Sequence, residues 1–247
     1  VARRGEFSDI ATRAAAVSAT QILVQRAALE LDVSAEEFEA LEPRLRDGRP
    51  MLQIADALIN GSGLCRRLGE PNIPGGPSYI SEIVEAILSR TGQWPLADFL
   101  ASYGDGGSHQ RQCKTSCYRC IQRFSNRAYH GLLDWRLGLS YLRALTDPEY
   151  ACGLNPGDEN LPELTGWLER AHTLAEDIVS MRPRSLSHEQ LAHSGLSCII
   201  ERSGGEAWRY IVLHPLWRKD PETLGGILGP DFVPGMLAVD TYNLERR

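Results

Sequence analysis

Apolar and polar positions alternate along this chain with periods that change from helical to extended. Ile10, Ala14, Val17, Val24, Ala28 and Leu31 step by three and four, with Gln21 breaking the stripe. That period predicts a helix over about 8–31, capped by Ser8 or Asp9. The polar stretch 34–47 carries several glutamates and reads as a short helix or loop. Met51–Asp56 reads as a strand, ended by Asn60-Gly61-Ser62-Gly63, and a Pro/Gly loop follows over 71–77. Ser78 can cap a helix to about residue 90, with Ile80, Ile83, Val84 and Ile87 on one face. Further helical stretches are expected near 118–124, 128–145 and 161–180. The end of the chain changes character: Cys198–Glu201 and Trp208–Leu213 flank Ser203-Gly204-Gly205-Glu206, a hairpin pattern, and 236–240 supplies a candidate third strand. The expectation is an α+β protein. A mainly helical region with a short strand and glycine turn occupies 1–182, and a small β-rich region occupies 183–247.

Composition narrows the class. The chain has 247 residues, 43% of them hydrophobic, enough for a packed core in one large or two ordinary domains. No run of 18 apolar residues predicts a membrane span. The start lacks a signal h-region and an initiating Met, so we expect a fragment of a longer cytoplasmic polypeptide. Six cysteines in this length are too sparse for a secreted disulfide scaffold.

Three of those cysteines fall within eight residues, in Cys113-Lys-Thr-Ser-Cys117-Tyr-Arg-Cys120. Cys117-x-x-Cys120 lets a tight turn place two thiolates on one side of an ion, and Cys113 can close from the other. This is a ligand pattern for a soft divalent metal such as Zn²⁺, which takes four protein donors when structural. The fourth ligand is open. Cys65, after a glycine-rich turn, is preferred for its softness; His109, four residues before Cys113, is the local rival; His130, Cys152 and Cys198 are more remote candidates. A redox Cys-x-x-Cys pair needs a strand-to-helix turn, and the loop-like residues before Cys113 do not suit one.

Charge is uneven. The net charge is −6, against a whole surface built to grip nucleic acid, yet 108–143 carries seven basic residues and one acidic, Asp134. Arg111, Lys114, Arg119, Arg123 and Arg127 interleave with Tyr118, Phe124 and Tyr129, a footprint suited to phosphates and stacked bases. Its competing meaning is a solvated helix face. Asn126, His130 and Asp134 are spaced to share one helix face, and a packing network is preferred there to acid–base chemistry. His188-Glu-Gln-Leu-Ala-His193 is not a metalloprotease motif, because its histidines are five apart and roughly 140° out of line on a helix. Asp56 ahead of Gly61 and Gly63 reads as a turn. No phosphate-binding Gly-x4-Gly-Lys-Ser/Thr loop is present, so the chain does not hydrolyse ATP by that route alone.

The segment 113–145, with its Cys-x3-Cys-x2-Cys loop followed by Asn126, His130 and Leu133-Asp134, resembles the four-cysteine zinc-binding domain of MrfA-type DNA-repair helicases. It is closer still to the version in DrmB, a subunit of the DISARM anti-phage defence system. The strand ending in Asp56 and the glycine turn leading to Cys65 are part of that likeness, which covers about 8–146. The resemblance implies a structural Zn²⁺ on Cys65, Cys113, Cys117 and Cys120, a superfamily 2 helicase as partner or neighbouring domain, and DNA as substrate of the assembly. The expected function is a non-catalytic zinc module that supports DNA binding and docking to the motor. A protein–protein adaptor that never touches DNA is the alternative, and a zinc hydrolase or nuclease using His130 and Asp134 is a third.

Overall fold

The computed structural model describes residues 9–47, 49–89, 102–103, 107–109 and 113–246. The fold is α+β, as expected. It divides into two units, one of residues 13–149 and one of 1–12 with 150–247. The boundary thus falls at Glu149/Tyr150, not at 182. The reason is that the helix of 167–181 builds its core with the C-terminal strands.

The first unit is organised on helix α1 (Ile10–Glu30). From residue 14 onward Ala14, Ala15, Ala16, Ala19, Ile22, Val24 and Ala27 are fully buried. Alanine on every side lets neighbours approach the backbone, which a broad apolar stripe would prevent. After a 3₁₀ turn at Ala35–Glu37, strands β1 (Phe38–Arg46) and β2 (Arg49–Asp56) pair antiparallel from Phe38↔Asp56 to Arg46↔Arg49, with a shift between Leu41 and Arg44. The glutamate-rich stretch therefore forms an edge strand, its charges falling on exposed positions. Helix α2 (Leu64–Gly69) packs on β2 and on α3 (Tyr79–Leu88). A two-residue pair, β3 (Ser102–Tyr103) with β4 (Gly107–Ser108), precedes the cysteine loop.

Helix α4 (Trp135–Thr146) closes this unit. The helix expected over 118–124 is a run of turns, and the one expected over 128–145 begins only at Trp135, with turns before it and one 3₁₀ turn at Arg127–Tyr129. Asp134 caps α4, its carboxylate accepting from Arg136 N and Leu137 N, while its own N–H donates to Ser18 Oγ of α1 at 2.8 Å. Gly138 sits where the two helices meet. A Cβ there would lie 2.7 Å from Ile22 Cδ1 and 2.9 Å from the Ser18 carbonyl carbon.

The second unit is a four-stranded sheet in the order β5 (Leu186–Gln190), β6 (Ser197–Ser203), β7 (Glu206–Leu213), β8 (Leu237–Asp240). The β6–β7 hairpin turns through Gly204 and Gly205, both at positive φ (61° and 86°), the geometry a two-residue turn needs to match strand twist. β8 runs parallel to β7, after helix α6 (Pro221–Leu228). Helix α5 (Trp167–Met181) lays Ala171 and Ala175 against Ile199 and Val212, with Leu244 of α7 (Thr241–Leu244) completing the cluster. Lys219 pairs with Asp9 and, at 2.7 Å, with the buried Asp240. Among the described residues no helix is long and apolar enough to cross a membrane.

Gly138→Ala tests the helix contact. It raises intrinsic helix propensity by about 1 kcal/mol, yet the intruding methyl meets backbone and should lower stability by about 1–3 kcal/mol. A urea melt with an unchanged or higher midpoint would contradict the close approach.

Candidate metal centre

The cysteine loop is short, and its backbone is fixed before any metal is considered. Cys120 N donates to Cys117 O at 3.0 Å and Gln122 N to the same carbonyl at 3.1 Å, folding Cys117–Gln122 into a tight turn. Cys113 N donates to His109 O, four residues back, at 2.8 Å. These two local turns bring His109, Cys113, Cys117 and Cys120 together, with one donor atom from each inside a group no wider than 4.8 Å. His109 Nε2 lies 3.3 Å from Cys117 Sγ, and Cys113 Sγ lies 3.9 Å from Cys120 Sγ. His109, Cys113 and Cys120 are buried and Cys117 is partly exposed. Such a group can hold a metal ion.

The electrostatics suit a cation. Cys120 is pulled down, chiefly by the hydrogen bond from the Cys113 thiol. His109 and the N–H groups of Cys117 and Ile121 add to this against burial. Cys113 moves up, first because its proton bonds Cys120 and then because it is buried. Cys117 moves up through burial and the nearby Cys120 charge. Negative charge thus gathers on Cys120, with the N–H of Cys117 pointing at its sulfur at 3.1 Å. A metal would displace the remaining thiol protons, so binding is coupled to proton release.

The framework behind the loop is polar and buried. Gln21, the residue that breaks the apolar stripe of α1, accepts from Arg123 Nη2 at 2.6 Å and from Asn126 Nδ2 at 3.0 Å. Gln25 Nε2 donates to Cys120 O at 3.3 Å. Arg136 Nη1 donates to Cys113 O and Lys114 O at 3.2 and 2.7 Å, and Trp135 N to Thr115 O at 2.9 Å. Asn126 Oδ1 accepts from Arg123 N, and His130 Nε2 shares its proton between Arg123 O at 2.9 Å and Asn126 Oδ1 at 3.0 Å. The Asn126/His130 pair is therefore a packing network, as preferred from sequence. Asp134 stands apart from it at the start of α4, because the intervening residues are turns.

Cys65 is not in the metal group; His109 holds the fourth place. The glycine turn does position the Cys65 side chain, but toward its own hairpin. Asp56 accepts from Gly63 N and Cys65 N, each at 2.8 Å, and Cys65 Sγ lies 3.6 Å from Ile54 O. Burial, then the Asp56 carboxylate, pushes the Cys65 thiol up to about 12, away from the thiolate a metal requires. Asp56 itself is held low by those N–H donors, so the Asp56–glycine pattern is a structural turn. Cys152 and Cys198 are buried thiols in the other unit.

The basic set separates. Lys114, Arg119 and Arg127 are exposed, beside Tyr118 and Phe124, which are 67% and 74% exposed. The Arg127 guanidinium lies over the Phe124 ring at 4.9 Å. Arg123 corrects the expectation of a phosphate contact, since its guanidinium is spent on Ala35 O at 2.8 Å and on Gln21. Arg111 lies outside the described residues. Sequence reasoning missed Gln21, Ser18 and Arg136 as supports of the loop; the break in the α1 stripe was the one visible signal.

Comparison with protein-family models, with curated proteins and with solved structures finds no match to this chain.

The ligand assignment is checked by metal analysis after dialysis. Cys65→Ser should keep its tightly held metal at the wild-type level. His109→Ala should retain at least ten-fold less, in line with loss of one of four donors. The reverse pattern would restore Cys65 as the ligand.

Proposed function

We propose that this chain is a non-catalytic zinc-binding module of a helicase-associated DNA-processing protein, of the kind found in DrmB. The carrying observation is the compact, largely buried group of four donors. Zinc bonds of about 2.3 Å to sulfur and about 2.0–2.1 Å to nitrogen, at tetrahedral angles, set sulfur–sulfur separations of about 3.8 Å and sulfur–nitrogen separations of about 3.5 Å. The separations of 3.9 and 3.3 Å fit that ion with small adjustments. Four protein ligands leave no position for substrate water, which speaks for a structural zinc and against a hydrolase built on His130 and Asp134. The histidine-containing set departs from the four cysteines of the resembled domain, so the likeness rests on the Cys-x3-Cys-x2-Cys loop and the residues after it.

The rim of the site supports a nucleic-acid role. Lys114, Arg119 and Arg127 offer cations beside two aromatic rings that face solvent, Tyr118 and Phe124. Such a surface suits a phosphate backbone with unstacked bases. Zinc would hold the rim in register by fixing the loop that carries it. The motor and ATP hydrolysis would come from a superfamily 2 helicase partner or domain.

Two outcomes follow. Structural zinc contributes roughly 10–16 kcal/mol in small modules, comparable with the whole stability of a domain at about 5–15 kcal/mol. Chelation should therefore abolish hydrogen-exchange protection over 113–146. Protection that persists in demonstrably metal-free protein would refute a structural zinc. For DNA, replacing Lys114, Arg119 and Arg127 by Ala should lower the slope of log affinity against log salt, by about 0.7–0.9 for each phosphate no longer neutralised. An unchanged slope, or no DNA binding by the wild type, would transfer the zinc module to the adaptor reading.

A further inference from the structure

The second unit brings together three side chains that are remote from the cysteine loop in sequence. His172 and Glu176 are four apart on α5, so they share one helix face. His188 lies on β5, the edge strand of the sheet, opposite Ile199 of β6. Ile199 faces α5, where it packs on Ala171 and Ala175, and His188 shares its side of the sheet. The result is one ring nitrogen from each histidine and one carboxylate oxygen within 4.8 Å of one another.

Three features distinguish this group from a surface ion pair with a stacked ring. First, the two imidazoles are brought into contact between α5 and β5, with centroids 4.6 Å apart and planes at 68°. Second, the ring of His172 is oriented from behind. Its Nδ1 lies 3.4 Å from Ser197 Oγ, while Nε2 faces Glu176 Oε1 at 3.4 Å. A serine that bonds Nδ1 and leaves Nε2 toward the other donors is the second-layer arrangement found behind metal-bound histidines. Third, His188 Nε2 is shielded from solvent and has no hydrogen-bond partner among the described residues. A buried polar nitrogen without a partner is costly, and a metal ion would remove that cost.

We propose that His172, Glu176 and His188 form a second metal site, taking a borderline divalent ion of the first transition row such as Zn²⁺ or Co²⁺. Two imidazoles and one carboxylate select this class over Mg²⁺ or Ca²⁺, which prefer oxygen ligands throughout. Three protein donors leave a position for water or an exchangeable ligand, so this ion differs in kind from the enclosed ion of the cysteine loop. Its place between α5 and the edge strand β5 makes it a clasp for an element that otherwise has only one strand neighbour.

The test uses the full chain loaded with one equivalent of zinc, titrated with Co²⁺ and followed by calorimetry. A second ion should bind, and binding should weaken at least ten-fold in both His172→Ala and His188→Ala. Ser197→Ala should weaken it less. Thiolate-to-cobalt charge-transfer absorption marks any Co²⁺ that enters the cysteine loop, so failure of that site and failure of this one are told apart. Retained thermal melting of each variant carrying the one equivalent of zinc checks that it has folded; His188→Gln replaces any variant that has not. Absence of a second binding event, or one insensitive to both histidines, would overturn the proposal.

Discussion

The arrangement of the first unit depends on one constraint: His109, Cys113, Cys117 and Cys120 must point their donor atoms at one centre from a loop with little regular structure of its own. Two tight backbone turns aim the side chains, and two helices hold the turns. α1 supplies Gln21 and Gln25, and α4 supplies Arg136 and the N–H of Trp135. These bonds are buried or partly buried, so an unmade partner shielded from water would cost more than the bond itself contributes. The loop is thus held from both sides, and a metal on its inner face would complete a network already largely in place.

That framework explains why helix packing matters to the centre. α1 and α4 approach closely because alanines line one and Gly138 interrupts the other. The same approach lets Ser18 reach the N–H of Asp134, whose carboxylate starts α4 at the position where Arg136 can grip the loop. Asn126, expected in a packing row, and Arg123, expected from sequence as a phosphate contact, both work as internal fasteners.

Much of this is legible in the chain itself. The α1 period, the strand before Asp56, the apolar face of α3 and the Gly-Gly hairpin all declare themselves, because local spacing and turn chemistry govern each, although the Ser78 hydroxyl meets Ser81 Oγ and not an N–H at the start of α3. β1 does not, since its glutamates sit on an exposed edge strand and mimic a loop. The turns over 118–134 carry apolar spacing that suits a helix, while tertiary hydrogen bonds donated by Arg123 and Asn126 to Gln21 hold them otherwise. At the site, the three cysteines are plain and the fourth ligand is not. Softness favours Cys65, but proximity decides for His109, eight residues from Cys117 and held by the turn to Cys113. The glycine turn instead serves Asp56. The His172–Glu176 pair is visible as a helix spacing, but its link to His188 exists only through the packing of α5 on the sheet.

X-ray absorption at the zinc edge, on protein carrying one equivalent of the metal, tests the central claim most directly. The account predicts three sulfur ligands at about 2.3 Å and one nitrogen at about 2.0–2.1 Å. A first shell of four sulfurs, or one made only of nitrogen and oxygen, would contradict it.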